Sequence, residues 1–303
     1  MKMCTGVSNK KRIGIALSTG SARALAHIGV LKVLEKEGIK IDVISGTSFG
    51  GLIAGMYASG MKPDEIEEKF LKITKSKLFS IFRPAPKRSG FIDKKRLEKL
   101  VREFVKDVDI SELKIPFGVP CVDVMTGEKV VIDKGSLIRA IMATMAYPIV
   151  FTPIEYDGRY LLDGGIIDPL PVDIARRLGA EIVIASMPFP GGNERLAKIS
   201  ENMLNSRVNE ITHFLMVEKE TNNCKNQKKS LNMAHIFMQL SSILENQSLL
   251  LQWQEHKPDI LIVPDVKDLK PLEFYRARET ILQGEKATRR AIPSIKRIIE
   301  ALG

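Results

Sequence analysis

The chain has 303 residues, of which 44% are apolar and 27% charged, an ordinary balance for a globular enzyme with a sizeable core and unlike a disordered or fibrous chain. Its formal net charge of +10 favours an anionic partner such as an acidic lipid surface, but no recognition motif accompanies it, so nucleic acid is not an expected partner. Cys4, Cys121 and Cys224 are scattered and form neither a CxxC pair nor a metal pattern; no cofactor or metal is expected, and a reducing cytoplasm fits best.

The start, MKMCTGVSNKKR, is polar, and the apolar run after it covers only residues 13–17. That is too short for a targeting segment, and no window offers the ~20 apolar residues of a spanning helix. Residues 13–17 instead resemble a strand buried on both faces. A helix is predicted over 22–37, where Leu25, Ile28, Leu31 and Leu34 recur at helical spacing and Gly38 stands at the C-terminal cap. A second strand is expected over 42–45 and a small-residue helix over 49–59. Strand, helix, strand, helix argues for an α/β fold with a mostly parallel sheet.

Residues 63–104 read as two helices, the first opened by Pro63. The loop between them carries the aromatic and basic run Phe79-Ser80-Ile81-Phe82-Arg83. Hairpins are predicted at Thr126-Gly127, within 115–133, and at Asp157-Gly158. A helix over 171–179 and a strand over 181–186 follow. Residues 194–256 are helical in pattern with a polar break at 222–230. A strand over 260–263 and a helix from about 274 close the chain. We therefore expect one domain, with a core over 13–189, a helical elaboration over 190–256, and a C-terminal strand and helix over 259–301.

The sharpest chemical signal is Gly46-Thr47-Ser48-Phe49-Gly50, a G-x-S-x-G between a strand and a helix. A serine on such a turn projects its hydroxyl into a cleft, and the flanking Gly46 and Gly50 relieve crowding where the backbone bends. The following helix start supplies positive potential. Ser48 needs a base. His27, His213, His235 and His256 sit in no hydrolase signature, and His27 falls within an amphipathic helix, where packing is the simpler role. Asp163 is the better candidate. It ends a short apolar run before Gly164 and Gly165, where backbone can approach a ligand closely. A carboxylate becomes a useful base when it is desolvated and within reach of the hydroxyl. Between the first strand and helix, Ser18-Thr19-Gly20-Ser21-Ala22-Arg23 can aim free amides at an anion. Neither phosphate-loop consensus is present.

In this order, the glycine-serine elbow, the Asp-Gly-Gly and an amide loop ending in arginine resemble the patatin-like phospholipases. Ala24-Leu25-Ala26-His27-Ile28-Gly29-Val30-Leu31 is similar to that family's first helix. Ala146-Tyr147-Pro148-Ile149-Val150-Phe151-Thr152-Pro153 and Asp163-Gly164-Gly165-Ile166-Ile167-Asp168-Pro169-Leu170-Pro171-Val172 are similar to the segments leading to and carrying its aspartate. The tail over 259–293, with Gly284-Glu285, also fits bacterial members.

The resemblance implies a three-layer α/β/α fold and a Ser48–Asp163 dyad acting without histidine or cofactor. Oxyanion donors would come from the loop Gly20, Ser21, Ala22 and Arg23, and the substrate would be a phospholipid or other acyl-ester lipid. The family's amide loop is a run of glycines. Here Ser18, Thr19 and Ser21 interrupt it and Ala24 follows Arg23, while Asp168 stands where the family often has asparagine. Side chains tolerate positive φ poorly, so a binding or regulatory protein on the same fold is one alternative. An esterase for soluble esters with a histidine triad is another.

For lipid contact, the sequence offers the loop over 79–91 and two helical apolar sets. One is Ile236, Phe237, Leu240, Ile243 and Leu244; the other is Leu249, Leu250 and Trp253. Such stripes serve as core or as an interfacial face. The basic charge would assist peripheral adsorption to an anionic inner membrane face.

Overall fold

The computed structural model describes residues 11–74, 76, 92, 94–188 and 233–302. The expectations for the loop over 79–91, for residues 190–232, and for Cys4, Cys224 and His213 lie outside the described residues.

The elements in order are β1 (Ile13–Leu17), α1 (Ala26–Lys36), β2 (Val43–Gly46), α2 (Phe49–Ala58), α3 (Pro63–Leu71), α4 (Lys94–Phe104), β3 (Phe117–Asp123), β4 (Lys129–Ile132), α5 (Leu137–Thr144), β5 (Ile154–Tyr156), β6 (Arg159–Asp163), α6 (Val172–Arg177), β7 (Ile182–Ser186), α7 (Met233–Glu255), β8 (Ile260–Ile262) and α8 (Ala277–Leu302). One correction to the sequence reading concerns the first helix. Residues Ser21–Leu25 form a 3-10 turn, and the α-helix starts only at Ala26. A second concerns α5, which the reading did not single out as an element. The Ser136 hydroxyl caps it by accepting from Arg139 N–H.

The strands form one mixed sheet in the order β5-β6-β3-β2-β1-β7-β8, with β4 paired to β3. The β3, β2, β1, β7 and β8 segments run parallel, whereas β4, β5 and β6 add antiparallel pairings. Every residue of β1 is buried, as its unbroken apolar run requires when both sheet faces are covered. The two faces feed different cores. Ile13, Ile15 and Leu17 point into the larger core with residues of α1, α2, α4, α5 and α8. Ala16, on the other face, packs with Val172 and Ala175 of α6 and with Leu250 and Trp253 of α7. Alternation of side chains along the strand thus produces the three layers.

From β1 the chain proceeds to β2 and β3 on one side and later returns to β7 and β8 on the other. The carboxyl ends of strands beside such a reversal form a crevice. The loop after β1 and the turn after β2 both open there.

Candidate active site

Ser48 lies between β2 and α2 with φ 57 and ψ −125, a backbone state that costs a non-glycine residue about 1–3 kcal/mol. The surroundings hold it there. Ser48 N–H donates to Thr144 Oγ1 at 3.1 Å, and the Thr144 hydroxyl donates to Pro120 O at 2.8 Å. Thr47 N–H donates to Leu17 O at 3.0 Å, tying the elbow to β1. Gly46 and Gly50 are required by close approach: a Cβ on Gly50 would overlap Ser18 O, and one on Gly46 would press on Gly50 itself. Ser48 is buried but retains 8% exposure.

Asp163 ends β6, where it is opposite Cys121 of β3. Its loop is fastened to the strands that carry Ser48. Thr47 Oγ1 donates to Asp168 O at 2.8 Å, Ser45 Oγ to Pro171 O at 2.7 Å and Thr19 N–H to Pro169 O at 2.9 Å. The carboxylate is 1% exposed. Its Oδ1 accepts from Gly165 N–H at 2.8 Å, while Oδ2 is buried without a formed hydrogen bond among the described residues. Burial pushes the carboxyl up to about 7, and the nearby Ser48 hydroxyl and the Gly165 amide partly counter that rise. No hydrogen bond joins Ser48 to Asp163, and the serine hydroxyl bears on the carboxyl only by favouring its ionised form.

The start of the loop after β1 lies against both turns, with Ser18 O close to Gly50. Thr19 Oγ1 lies near Gly165. Of the four loop residues predicted from sequence, two have occupied amides: Ala22 N–H donates to Pro271 O at 2.9 Å and Arg23 N–H to Gly20 O at 3.0 Å. The amides of Gly20 and Ser21 meet no protein acceptor among the described residues. Ser21 adopts φ 51, the left-handed conformation that glycine reaches freely and that costs a side-chain-bearing residue about 1–2 kcal/mol.

Asp168 is fully buried. Lys129 Nζ, 3.1 Å from its Oδ2, supplies the countercharge that a carboxylate needs at a position where the family often has a neutral amide. Burial still outweighs Lys129 and lifts the carboxyl to about 6.

Helix α7 rests on the loop after Asp163. Ser248 Oγ donates to Ile166 O at 2.6 Å and Gln252 Nε2 to Ile167 O at 2.9 Å. One turn before Ser248, Glu245 is pushed up to about 8 by burial and by the charge of Asp163. The phenol of Tyr147 is raised mainly by burial, an effect that the Ser241 hydroxyl partly counters. Sequence reasoning missed Thr144 and Glu245. The Ser136 cap three residues before Arg139 was a usable signal for the helix ending in Thr144, whereas nothing local marks Glu245. Of the two apolar sets on this helix, Leu250 and Trp253 are core, while Ile236, Leu240 and Leu244 are exposed together with Leu251.

His27 is fully buried, with Nδ1 2.8 Å from Ser186 Oγ and Nε2 2.9 Å from Ser18 O. Burial lowers it to about 4. It is a neutral packing residue with both nitrogens engaged, as its place on a helix face predicted. His256 is at the far end of α7 beside Glu255.

A model of the patatin-like phospholipase family matches residues 15–176. An uncharacterized NTE family protein of Mycobacterium bovis is 35% identical over 178 residues, which cover 59% of this chain and 49% of that protein. Patatin-like phospholipase domain-containing protein 6 of Homo sapiens is 34% identical over 180 residues, covering 57% of this chain and 13% of that protein. The matched region thus spans about half of the mycobacterial relative and a small part of the human one. Among solved structures, VipD from Legionella pneumophila shares the fold, with a TM-score of 0.50 at 14% identity over 94% of this chain and 67% of that chain.

Proposed function

Because this chain belongs to the patatin-like phospholipase family, we propose that it is a lipid acyl hydrolase in which Ser48 attacks an ester carbonyl and Asp163 serves as the base. The observation that carries this reading is a strained, caged Ser48 beside a buried carboxyl whose pKa is raised to about 7. A base poised near the working pH combines availability with driving force, and a positioned one contributes roughly 10²–10⁴-fold to rate.

In the first step Ser48 Oγ bonds to the carbonyl carbon while Asp163 takes the hydroxyl proton. The tetrahedral oxyanion is met by the free amides of Gly20 and Ser21, each such donor being worth about 3 kcal/mol. Collapse breaks the ester bond, and the leaving alcohol takes the proton back from Asp163. Water then attacks the acyl-serine while Asp163 accepts its proton. Breakdown of that second intermediate releases the fatty acid and returns the proton to Ser48. The chemistry would be carried by a single domain over 1–303, with its core over 13–189.

Adsorption to an anionic lipid surface fits the same reading. No described helix is long and apolar enough to cross a membrane. The exposed Ile236, Leu240, Leu244 and Leu251 recur on one side of α7, the helix over the aspartate loop, and the net charge is +10.

The deciding experiment incubates a phospholipid mixture with wild type, Ser48→Ala and Asp163→Asn and follows fatty-acid release by mass spectrometry. Release by wild type alone is expected. Equal release by all three proteins would exclude the dyad.

A further inference from the structure

The segment between β8 and α8 lies outside the residues matched by the family model, yet it holds both halves of the proposed site. The Ser21 hydroxyl donates to Pro271 O at 2.6 Å, and Ala22 N–H donates to the same carbonyl at 2.9 Å. Arg23 Nε donates to Leu269 O at 2.8 Å. Three residues beyond Pro271, the ring of Phe274 packs against Phe49 with centroids 4.7 Å apart, and Phe49 directly follows Ser48.

This segment is itself fixed in place. Helix α8 packs on α1 through reciprocal glycines. A Cβ on Gly284 would overlap Ala26 O, and one on Gly29 would overlap Ile281 O. The helix after the amide loop and the helix after residues 269–276 therefore meet at backbone distance, and Pro271 O faces the loop from a rigid support.

The single positive-φ residue of the amide loop, Ser21, is thus also the one whose hydroxyl reaches that support. Left to itself a serine would relax from this conformation toward negative φ. Its side chain supplies an anchor that glycine could not make and would not need.

We propose that Ser21 is a positioning residue: its hydroxyl, clamped to Pro271 O, holds a non-glycine residue in the left-handed conformation on which the oxyanion-binding amides depend. Residues 269–274 then act as a strap that sets the amide loop relative to Ser48. This inference rests on the proposed hydrolase reading and assigns the strap a role within it. It also explains how the chain dispenses with a glycine run.

The test compares wild type, Ser21→Ala, Ser21→Gly and Ser48→Ala on a short soluble ester, together with the rate at which a phosphonate labels Ser48. Ser21→Ala keeps the strained position and loses the anchor. A displacement of about 1 Å in the donors costs roughly 10–100-fold, so kcat and labelling rate should fall by that order with KM unchanged. Ser21→Gly loses the anchor but also the strain, and is expected to recover most of the lost rate.

Equal kcat in folded Ser21→Ala and wild type would overturn the clamp. So would an equal loss in Ser21→Gly and Ser21→Ala, because the hydroxyl would then act for itself and not through the backbone. Should Ser21→Ala not fold, Arg23→Lys withdraws the Nε donor from Leu269 O. Slower labelling at unchanged KM supports the strap, and unchanged labelling overturns it. A wild type inert toward esters and phosphonate overturns the hydrolase reading and this inference together. An active, Ser48-dependent wild type matched by Ser21→Ala overturns this inference alone.

Discussion

Ser48 and Thr144 are joined by a hydrogen bond from the serine amide to the threonine hydroxyl at 3.1 Å, across 96 residues of sequence. Thr144 is fully buried, and its own hydroxyl donates a hydrogen bond to Pro120 O. Thr144→Val keeps the shape and removes both bonds, leaving a buried amide and a buried carbonyl unsatisfied. Each such loss costs about 1–3 kcal/mol. We expect a lower urea midpoint and a reduced kcat, with Thr144→Ser restoring both. A Thr144→Val protein as stable and active as wild type would show that the elbow is held by other contacts.

The Asp163 carboxyl ties stability to pH. It is raised from 3.8 to about 7 by burial, so between those values the unfolded chain releases a proton that the folded chain retains. Stability therefore falls as pH rises through that window, by up to about 4 kcal/mol once the window is passed. Asp163→Asn removes this term while keeping an oxygen for Gly165 N–H. It should be more stable than wild type at pH 8, with little difference at pH 4, when thermal unfolding is followed at both values.

The same carboxyl must be ionised to act as base, so kcat/KM for a neutral ester should rise through about pH 7. Glu245, raised to about 8, adds a second negative charge beside Asp163 above that pH, where an oxyanion has to form. A falling limb is expected there, and Glu245→Gln should remove it while leaving the rising limb in place. A profile from pH 5 to 10 in which both proteins fall alike would exclude this role for Glu245.

Gly284 admits no side chain, because a Cβ there would overlap Ala26 O. Gly284→Ala must push α8 from α1, an overpacking that costs roughly 1–3 kcal/mol. Because α8 carries residues 269–274 with it, a drop in turnover of a short ester should accompany the loss of stability in the folded variant. Unfolding in urea and steady-state kinetics on one preparation would read both.

The exposed leucines of α7 separate lipid adsorption from chemistry. Leu240→Ser with Leu244→Ser should weaken flotation with anionic vesicles and slow release from bilayer lipid. Turnover of a short soluble ester should hold. Undiminished flotation would assign the adsorbing face to another part of the chain.

Much of the candidate site is legible in the sequence because local backbone demands write it into short motifs. A serine at a tight strand-to-helix turn needs Gly46 and Gly50 beside it, since other backbone passes too close for a Cβ. A strand that must stop and turn needs Gly164 and Gly165 after Asp163. The buried strand β1 and the turns at Gly127 and Gly158, both at positive φ, follow from composition and chirality in the same way. The start of α1 was less legible, because the 3-10 turn at Ser21–Leu25 continues the helical spacing and differs only in its hydrogen bonds.

What the sequence determined by itself was therefore the kind of most local elements and the identity of the two side chains proposed to react, all fixed by interactions within a few residues. Tertiary structure alone decided how they are held: Thr144 under the serine, Pro271 against Ser21 from 250 residues away, Glu245 in the field of Asp163, and Lys129 facing Asp168. A carbonyl oxygen exists at every residue and a buried carboxyl looks like any other in sequence. Which of them becomes a clamp or a titrating neighbour depends on the packing of sheet and helices, and that packing is a property of the whole chain.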